Sequence, residues 1–410
     1  MAKQDKCLVA IDVGSSKVGV LIGKPTDFGE IEILGQGEAA NRGTRRGNIV
    51  NVEATVAALR RATEEAEMMA GYEVESAYVG IAGSDIRSVN SRSMVSVARK
   101  DREIRPNDIQ RVLEAAQDAA LPSDREILHA VPQEFVVDDQ TGISDPVGML
   151  GSRLEASVHL VTGHATRSKT LLTCVNKAGI RVRELVFEPL AGAEAVLRDE
   201  ERERGSLLVD IGSGTSGYAL FAEGEVQHSG VCPIGASHFT NDLAQVLRTP
   251  IEEAERLKVR SGSCLESLVG DEEGISVPSV GGGATHVVRR RELCDILQPR
   301  AEEMFHLILE DLHRMGRADM LRGGVVLTGG GAQLNGLLEL AQQMFAVAAR
   351  YGLPERYSGL TQVIETPTWS AAAGLLRYAV VVEGAPGRKR ERLSMHSVVN
   401  RVRSMFSDLL

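Results

Sequence analysis

The feature that most constrains this chain is an internal match. "LVAIDVGSSKVGVLIG" (8–23) and "LLVDIGSGTSGYALF" (207–221) align with Asp12 on Asp210, Gly14 on Gly212, Ser15 on Ser213 and Gly19 on Gly217. Each copy reads as an apolar strand, an Asp, a Gly-Ser turn and a second strand. A matched pattern of this kind takes precedence over local propensity, because it implies two similar lobes. If the lobes face each other, both turns meet in one cleft.

The chemistry of such turns is phosphate binding. Glycines let the backbone bend tightly and bring N–H groups close to an anion. Serine and threonine hydroxyls add donors, and Lys17 adds a charge suited to a phosphate oxygen. Asp12 and Asp210, at the strand ends, suit a hydrated Mg²⁺, which keeps several waters and takes carboxylates. One Gly-Ser hairpin is ordinarily just a tight turn; two matched copies behind Asp favour the phosphate reading. A third element, "VVLTGGGAQLNGL" (325–337), runs a strand into Gly329, Gly330 and Gly331 and then a helix. Bare backbone there lets a base and ribose lie beside a helix N-terminus.

The rest of the chain is a globular α/β pattern. At 410 residues it is too long for one core. Its net charge of −10 argues against a nucleic-acid binder, which needs a basic face. Five scattered cysteines in no C-x-x-C pair argue against a zinc site or a disulfide framework and for a reducing cytoplasm. No signal peptide and no membrane span is expected. Helices are expected over 51–71, from Pro106, over 166–179, over 190–205 and from Pro299. Residues 84–163 read as a compact unit of strands and one helix, large enough to be an inserted subdomain.

The chain's last residues form a separate pattern. Val398, Val399, Val402, Met405, Phe406, Leu409 and Leu410 make one helical stripe. Fourteen residues make a helix of roughly 20 Å, too short for a hydrocarbon core of ~30 Å, so it should lie in the interface. From Glu383 onward six cations stand against three anions. Such a segment is drawn to anionic lipid. "EGAPGRKRERL" reads as its tether.

The three glycine motifs, in this order, resemble those of the actin–Hsp70–sugar kinase superfamily. Over nearly the whole chain the resemblance narrows to the FtsA family of bacterial cell-division proteins. "ILHAVPQEFVVDDQTGISDPVGMLGSRLEASVHLVTGH" is similar to its inserted subdomain, and "VPSVGGGATHVVRRRELCDILQPRAEEM" to its partner-facing segment.

The resemblance implies an α/β, actin-like two-lobe ATPase fold with four subdomains around one ATP cleft. It implies a first core subdomain of 1–83, 164–205 and 365–382, the insert at 84–163, and a second core subdomain of 206–233 and 300–364. It further implies a small nucleoside- and FtsZ-facing subdomain at 234–299, a linker at 383–395 and a membrane-targeting amphipathic helix at 396–410.

By the same resemblance, Asp12, Gly14, Ser15, Ser16 and Lys17 meet the phosphates from one side. Asp210, Gly212, Ser213, Gly214 and Thr215 meet them from the other. Gly329, Gly330 and Gly331 hold the adenosine, and Glu255 and Lys258 clamp the nucleoside. Arg300 and Glu303 receive the C-terminal tail of FtsZ.

The implied function is ATP·Mg²⁺ binding, polymerisation into a filament at the cytoplasmic face of the inner membrane at the septum, tethering of FtsZ there, and recruitment of later divisome membrane proteins. A small-molecule kinase, an Hsp70-type chaperone or another bacterial actin would share the fold.

Two departures stand out. Ser213 and Gly217 replace a Gly and an Asp that are usual in the second phosphate motif. The helix 166–179, resembling the first connecting helix, has no Asp, Glu or Gln between Thr166 and Lys177. Without a water-orienting group, ATP is expected to act as a ligand or switch with slow or no hydrolysis.

Overall fold

The computed structural model describes residues 7–118, 122–270, 274–280 and 285–383. The expected membrane helix 396–410, with Val398, Val399, Val402, Met405, Phe406, Leu409 and Leu410, and the tether from residue 384 lie outside the described residues.

The internal match extends into whole sheets. The first has the strand order Arg181–Phe187, Ser76–Ile81, Leu8–Val13, Lys17–Pro25, Ile31–Ala40 and a short edge strand Tyr357–Gly359. The second runs Ala349–Tyr351, Gly324–Thr328, Ser206–Ile211, Ser216–Ala222 and Glu225–Cys232. In each, the first hairpin strand pairs parallel with one neighbour and antiparallel with the other. The two hairpins share one register: Asp12 lies opposite Gly19 and Asp210 opposite Gly217.

Helices cover these sheets. α1 (Val52–Ala70) is capped by the Asn51 side chain, which accepts from the Ala54 N–H at 3.1 Å, and stops at Gly71 in the left-handed region. It buries Val56, Leu59, Ala62 and Ala66 against the strand Ile31–Ala40. That approach needs glycine, since a Cβ on Gly37 would lie 1.8 Å from the Ala62 carbonyl oxygen.

α2 (Pro106–Asp118) packs on a four-stranded sheet of Arg87–Ser96, Arg153–His164, Arg125–Val137 and Gln140–Ile143, and has its own core. α3 (Ala165–Lys177) packs beside α1 and the strand Arg181–Phe187. α4 (Glu188–Val196) and the short α5 (Asp199–Arg204) follow, replacing the single helix expected over 190–205.

α6 (Ala236–Val246), α7 (Ile251–Ser261), α8 (Arg290–Arg314), α9 (Leu337–Phe345), the one-turn α10 (Thr361–Ile364) and α11 (Ser370–Glu383) complete the second half. One apolar core fills the first lobe and extends to one face of the second sheet at Leu208, Ala219, Phe221 and Val326, and a second core covers that sheet's other face.

Two expectations are corrected. The helix expected from Pro299 begins nine residues earlier, at Arg290, so the division expected at 299/300 falls inside α8. Leu293, Leu297, Ala301, Met304, Phe305, Ile308 and Leu312 form one buried stripe across the proline. Burying each large apolar side chain contributes ~1.5–3 kcal/mol, which together outweighs the ~3 kcal/mol cost of an internal proline.

The second correction concerns the connecting helix. α3 packs mainly on the first lobe and the insert, whereas α4 packs against strands of both main sheets and crosses α11. At the crossing, a Cβ on Gly374 would lie 1.9 Å from the Ala191 carbonyl oxygen, so bare backbone is what lets the two helices meet.

Candidate functional site

The two turns face each other across a cleft of about 1100 Å³. Gly214 is the point of closest approach: a Cβ there would lie 2.6 Å from Arg46 Cα and 2.8 Å from Ser15 Oγ. Ser15 Oγ accepts from the Gly47 N–H at 2.9 Å, fixing the first turn to the neighbouring loop. The second turn is anchored by the start of α6, whose Ala236 and Ser237 N–H groups donate to the carbonyls of Gly212 (2.9 Å) and Ser213 (2.8 Å).

All fifteen residues expected to meet nucleotide line this one cleft. Asp12, Gly14, Ser15, Ser16 and Lys17 form one wall, and Asp210, Gly212, Ser213, Gly214 and Thr215 the opposite one. Gly329, Gly330 and Gly331 enter from the end of the strand Gly324–Thr328. Gly329 has φ +81°, and a Cβ on it would strike Asp210 Oδ1 at 2.3 Å, so no other residue fits.

Glu255 and Lys258 come from α7 as a bonded pair: Lys258 Nζ is 2.8 Å from Glu255 Oε2, 2.9 Å from Thr240 Oγ1 and 3.2 Å from the Ala236 carbonyl. Lys258 is buried and Glu255 half-exposed, and both line the cleft wall. Lys17 is held by the Glu38 carboxylate and lies 4.5 Å from the centre of the Trp369 ring.

Glu188, at the first turn of α4, also lines the cleft and was missed from sequence. The reasoning that no acid stands on the connecting helix placed that helix on α3, which contributes nothing to the cleft. The available signal was a second internal likeness, "EPLAGAEAV" and "TPTWSAAAGLL", each a proline leading a small-residue helix. The Gly217 departure has a related cause, since a Cβ there would meet Pro189 Cγ at 2.5 Å.

Three carboxyls thus converge. Burial raises Asp210 to about 7, with Asp12 adding to the rise. Burial likewise lifts Asp12 to about 6, against the pull of Lys17 and of its hydrogen bond with Glu188. Glu188 is held well above the carboxylate range by burial and then by the charges of Asp12 and Asp210. A divalent cation beside Asp12 and Asp210 would relieve their repulsion. Among the described residues no group of three His, Cys, Asp or Glu side chains is placed to cage a metal. The donor set therefore fits Mg²⁺ held mainly through waters and phosphate oxygens. Glu188 lines the cleft with a raised proton affinity, so it can hold a proton there.

Arg300 and Glu303 lie outside the cleft and are engaged within the chain. Arg300 forks onto Asp242 of α6 (Nε–Oδ2 2.6 Å, Nη2–Oδ1 3.1 Å) and pairs with Glu303. Arg290 and Arg291, at the start of α8, are also engaged: Arg290 Nε donates to the Ser261 carbonyl at 2.9 Å, and Arg291 pairs with Glu266. The five cysteines are buried and form no disulfide. No helix among the described residues is long and apolar enough to cross a membrane.

Comparison with known proteins agrees with this architecture. Residues 83–162 match the family model for the SHS2 domain inserted in FtsA, and residues 207–374 match the model for the cell division protein FtsA. The chain is 43% identical to the cell division protein FtsA of Pseudomonas aeruginosa over 92% of its length and 89% of that protein. It is 36% identical to FtsA of Escherichia coli over 92% of its length and 91% of that protein.

Among solved structures it is similar to a PilM–PilN type IV pilus biogenesis complex (TM-score 0.66, 15% identity, 92% of this chain and 99% of that one). It is also similar to MreB5 of Spiroplasma citri bound to AMPPNP (TM-score 0.59, 14% identity, 93% and 98%). These likenesses establish an actin-like fold. The duplicated sheets, the inserted domain and the extent of the sequence identity lead to one conclusion: the chain belongs to the FtsA family of cell division proteins.

Proposed function

We propose that this protein is an ATP-binding, actin-like cell-division protein that polymerises at the cytoplasmic face of the inner membrane and tethers FtsZ there. The observation that carries the reading is the cleft, where two matched Gly-Ser turns, two carboxylates and a glycine strand-end converge. Backbone N–H groups and Lys17 receive the phosphates, Asp12 and Asp210 hold Mg²⁺ through water, and Gly329 to Gly331 receive the adenosine. Glu188 makes slow hydrolysis chemically reasonable, replacing the expectation that the connecting helix carries no water-orienting acid. Its test is Glu188→Gln, which should lower any phosphate release and leave ATP affinity in place.

FtsZ binding is assigned to the surface of Arg300 and Glu303, where charged groups on the tail compete for pairs now made within α6 and α8. Membrane attachment is assigned to the stripe from Val398 to Leu410 and its basic tether, on anionic lipid. A filament carrying one helix per subunit binds a membrane far more tightly than a monomer. Later divisome membrane proteins are assigned to the inserted subdomain.

Liposome co-sedimentation, with and without ATP and an FtsZ tail peptide, tests the reading as a whole. ATP-stimulated sedimentation that captures the peptide and is lost on deleting 396–410 is the expected result. Sedimentation that persists in the truncated protein would refute the anchor.

A further inference from the structure

The three-residue turn Pro367–Trp369, which leads directly into α11, touches two of the glycine motifs of the cleft. The Gly329 N–H and the Thr328 hydroxyl donate to the Pro367 carbonyl at 3.1 and 3.3 Å. Trp369 reaches the first phosphate turn, its ring centre 4.5 Å from Lys17 Nζ. The indole is 5% exposed and packs on Gly19, where a Cβ would lie 3.0 Å from Cζ3. In the matched second hairpin the equivalent Gly217 faces Pro189, and Thr215 stands near the place of Lys17. The aromatic–cation contact is therefore a specialisation of one hairpin and not a by-product of the repeat.

A lysine ammonium sits on a flexible stem and is costly to hold in one place. Over a desolvated indole face it is held by the ring quadrupole. The ring takes no strong hydrogen bond, so it leaves the ammonium's donors free. Glu38 uses one of them and can exchange with a phosphate oxygen, while the indole contact persists.

We propose that Trp369 is a positioning residue that presents the Lys17 ammonium to the phosphates of a bound nucleotide, and so contributes to phosphate recognition but not to recognition of base or ribose. This rests on the nucleotide reading of the cleft.

The test is calorimetric titration of the full chain with Mg·ATP and, by competition, with adenosine. Trp369→Leu should weaken ATP roughly 3- to 30-fold, the span from an exposed to a desolvated cation–π contact, with adenosine affinity unchanged. Trp369→Phe should recover most of the loss. In a Lys17→Met background, Trp369→Leu should add no further loss, because the two act as one pair.

Trp369 is also the only tryptophan of the chain. The emission of the parent protein should therefore shift on Mg·ATP and not on adenosine, which decides the matter even if the leucine variant fails to fold. ATP and adenosine weakened equally, or parent emission unmoved while ATP binds, would overturn the proposal and leave the nucleotide reading standing. A parent protein that binds no ATP would overturn both.

Discussion

Two of the places where the second lobe meets the rest of the chain are opposite in character. One is the cleft, where glycine backbone and three carboxyls of raised proton affinity face open space. The other is the seam where the inserted domain lies on the edge strand Glu225–Cys232. There Ser88 donates to the Ser229 carbonyl, Asn90 to the Gln227 carbonyl (3.1 Å) and Gln133 to the Val226 carbonyl (2.6 Å). His159 is fully buried between Asn90 Oδ1 (2.6 Å) and Ser229 Oγ (2.8 Å). The insert thus caps carbonyls that an edge strand would otherwise leave open. A surface that stays shut satisfies its polar groups internally; a surface meant for a ligand leaves them strained until the ligand arrives.

The largest effect should come from the seam. His159→Ala leaves Asn90 Oδ1 and the Ser229 hydroxyl without their imidazole partner, at ~1–3 kcal/mol each where water cannot replace it. A loss of about 3 kcal/mol in urea unfolding is expected, with ATP affinity of the folded protein unchanged. A loss no larger than that of a surface substitution would mean that the seam is not closed as described.

The cleft should respond with the opposite sign. Asp210→Asn removes a buried charge that is repelled by Asp12, so at pH 8 the variant should be more stable by roughly 2 kcal/mol. It should lose the Mg²⁺ dependence of nucleotide affinity at the same time. A destabilised variant would show that Asp210 is structurally paired.

Titration sharpens the contrast. The folded pKa of Asp210, about 7, lies above its ordinary 3.8. Its ionisation opposes folding above pH 7, and the penalty fades as pH falls toward 4. The gap between parent and Asp210→Asn should therefore narrow as pH falls below 7 and close only near pH 4. His159 behaves inversely. Burial, with His228 and Arg317 nearby, lowers it to about 3 from 6.5, so the unfolded chain takes the proton first. The parent's advantage over His159→Gln should shrink as pH falls from 6.5 toward 4. Unfolding curves at several pH values check both trends.

The smallest effect should be at Arg300. Its fork to Asp242 is partly exposed, so Arg300→Ala should cost about 1 kcal/mol or less. A larger loss would place this helix contact with the seam and not with the surface.

Much of this architecture was legible in the sequence, for identifiable reasons. The hairpins were readable because strand, Asp and Gly-Ser turn recur in one order, and that order fixes the shared Asp–Gly register. α1 was readable from Asn51, Gly71 and an unbroken apolar stripe. α8 was not, because Pro299 suggests a helix start while the buried stripe runs through it. Glu188 escaped because a connecting helix is defined by what it crosses, and α3 has the more regular local pattern. The role of Gly217 was hidden for the same reason: Pro189, which it accommodates, lies 28 residues away in sequence. The seam was invisible, since His159, Asn90 and Ser229 form no local motif and meet only once the insert docks.

The most direct test of the account is a titration of the full chain with ATP, with and without Mg²⁺, for the parent and for Asp210→Ala. The account predicts that ATP binds the parent more tightly with Mg²⁺ than without, and that Asp210→Ala loses this Mg²⁺-dependent gain while remaining folded. Equal ATP affinity in parent and variant, or no ATP binding by a folded parent, would contradict it.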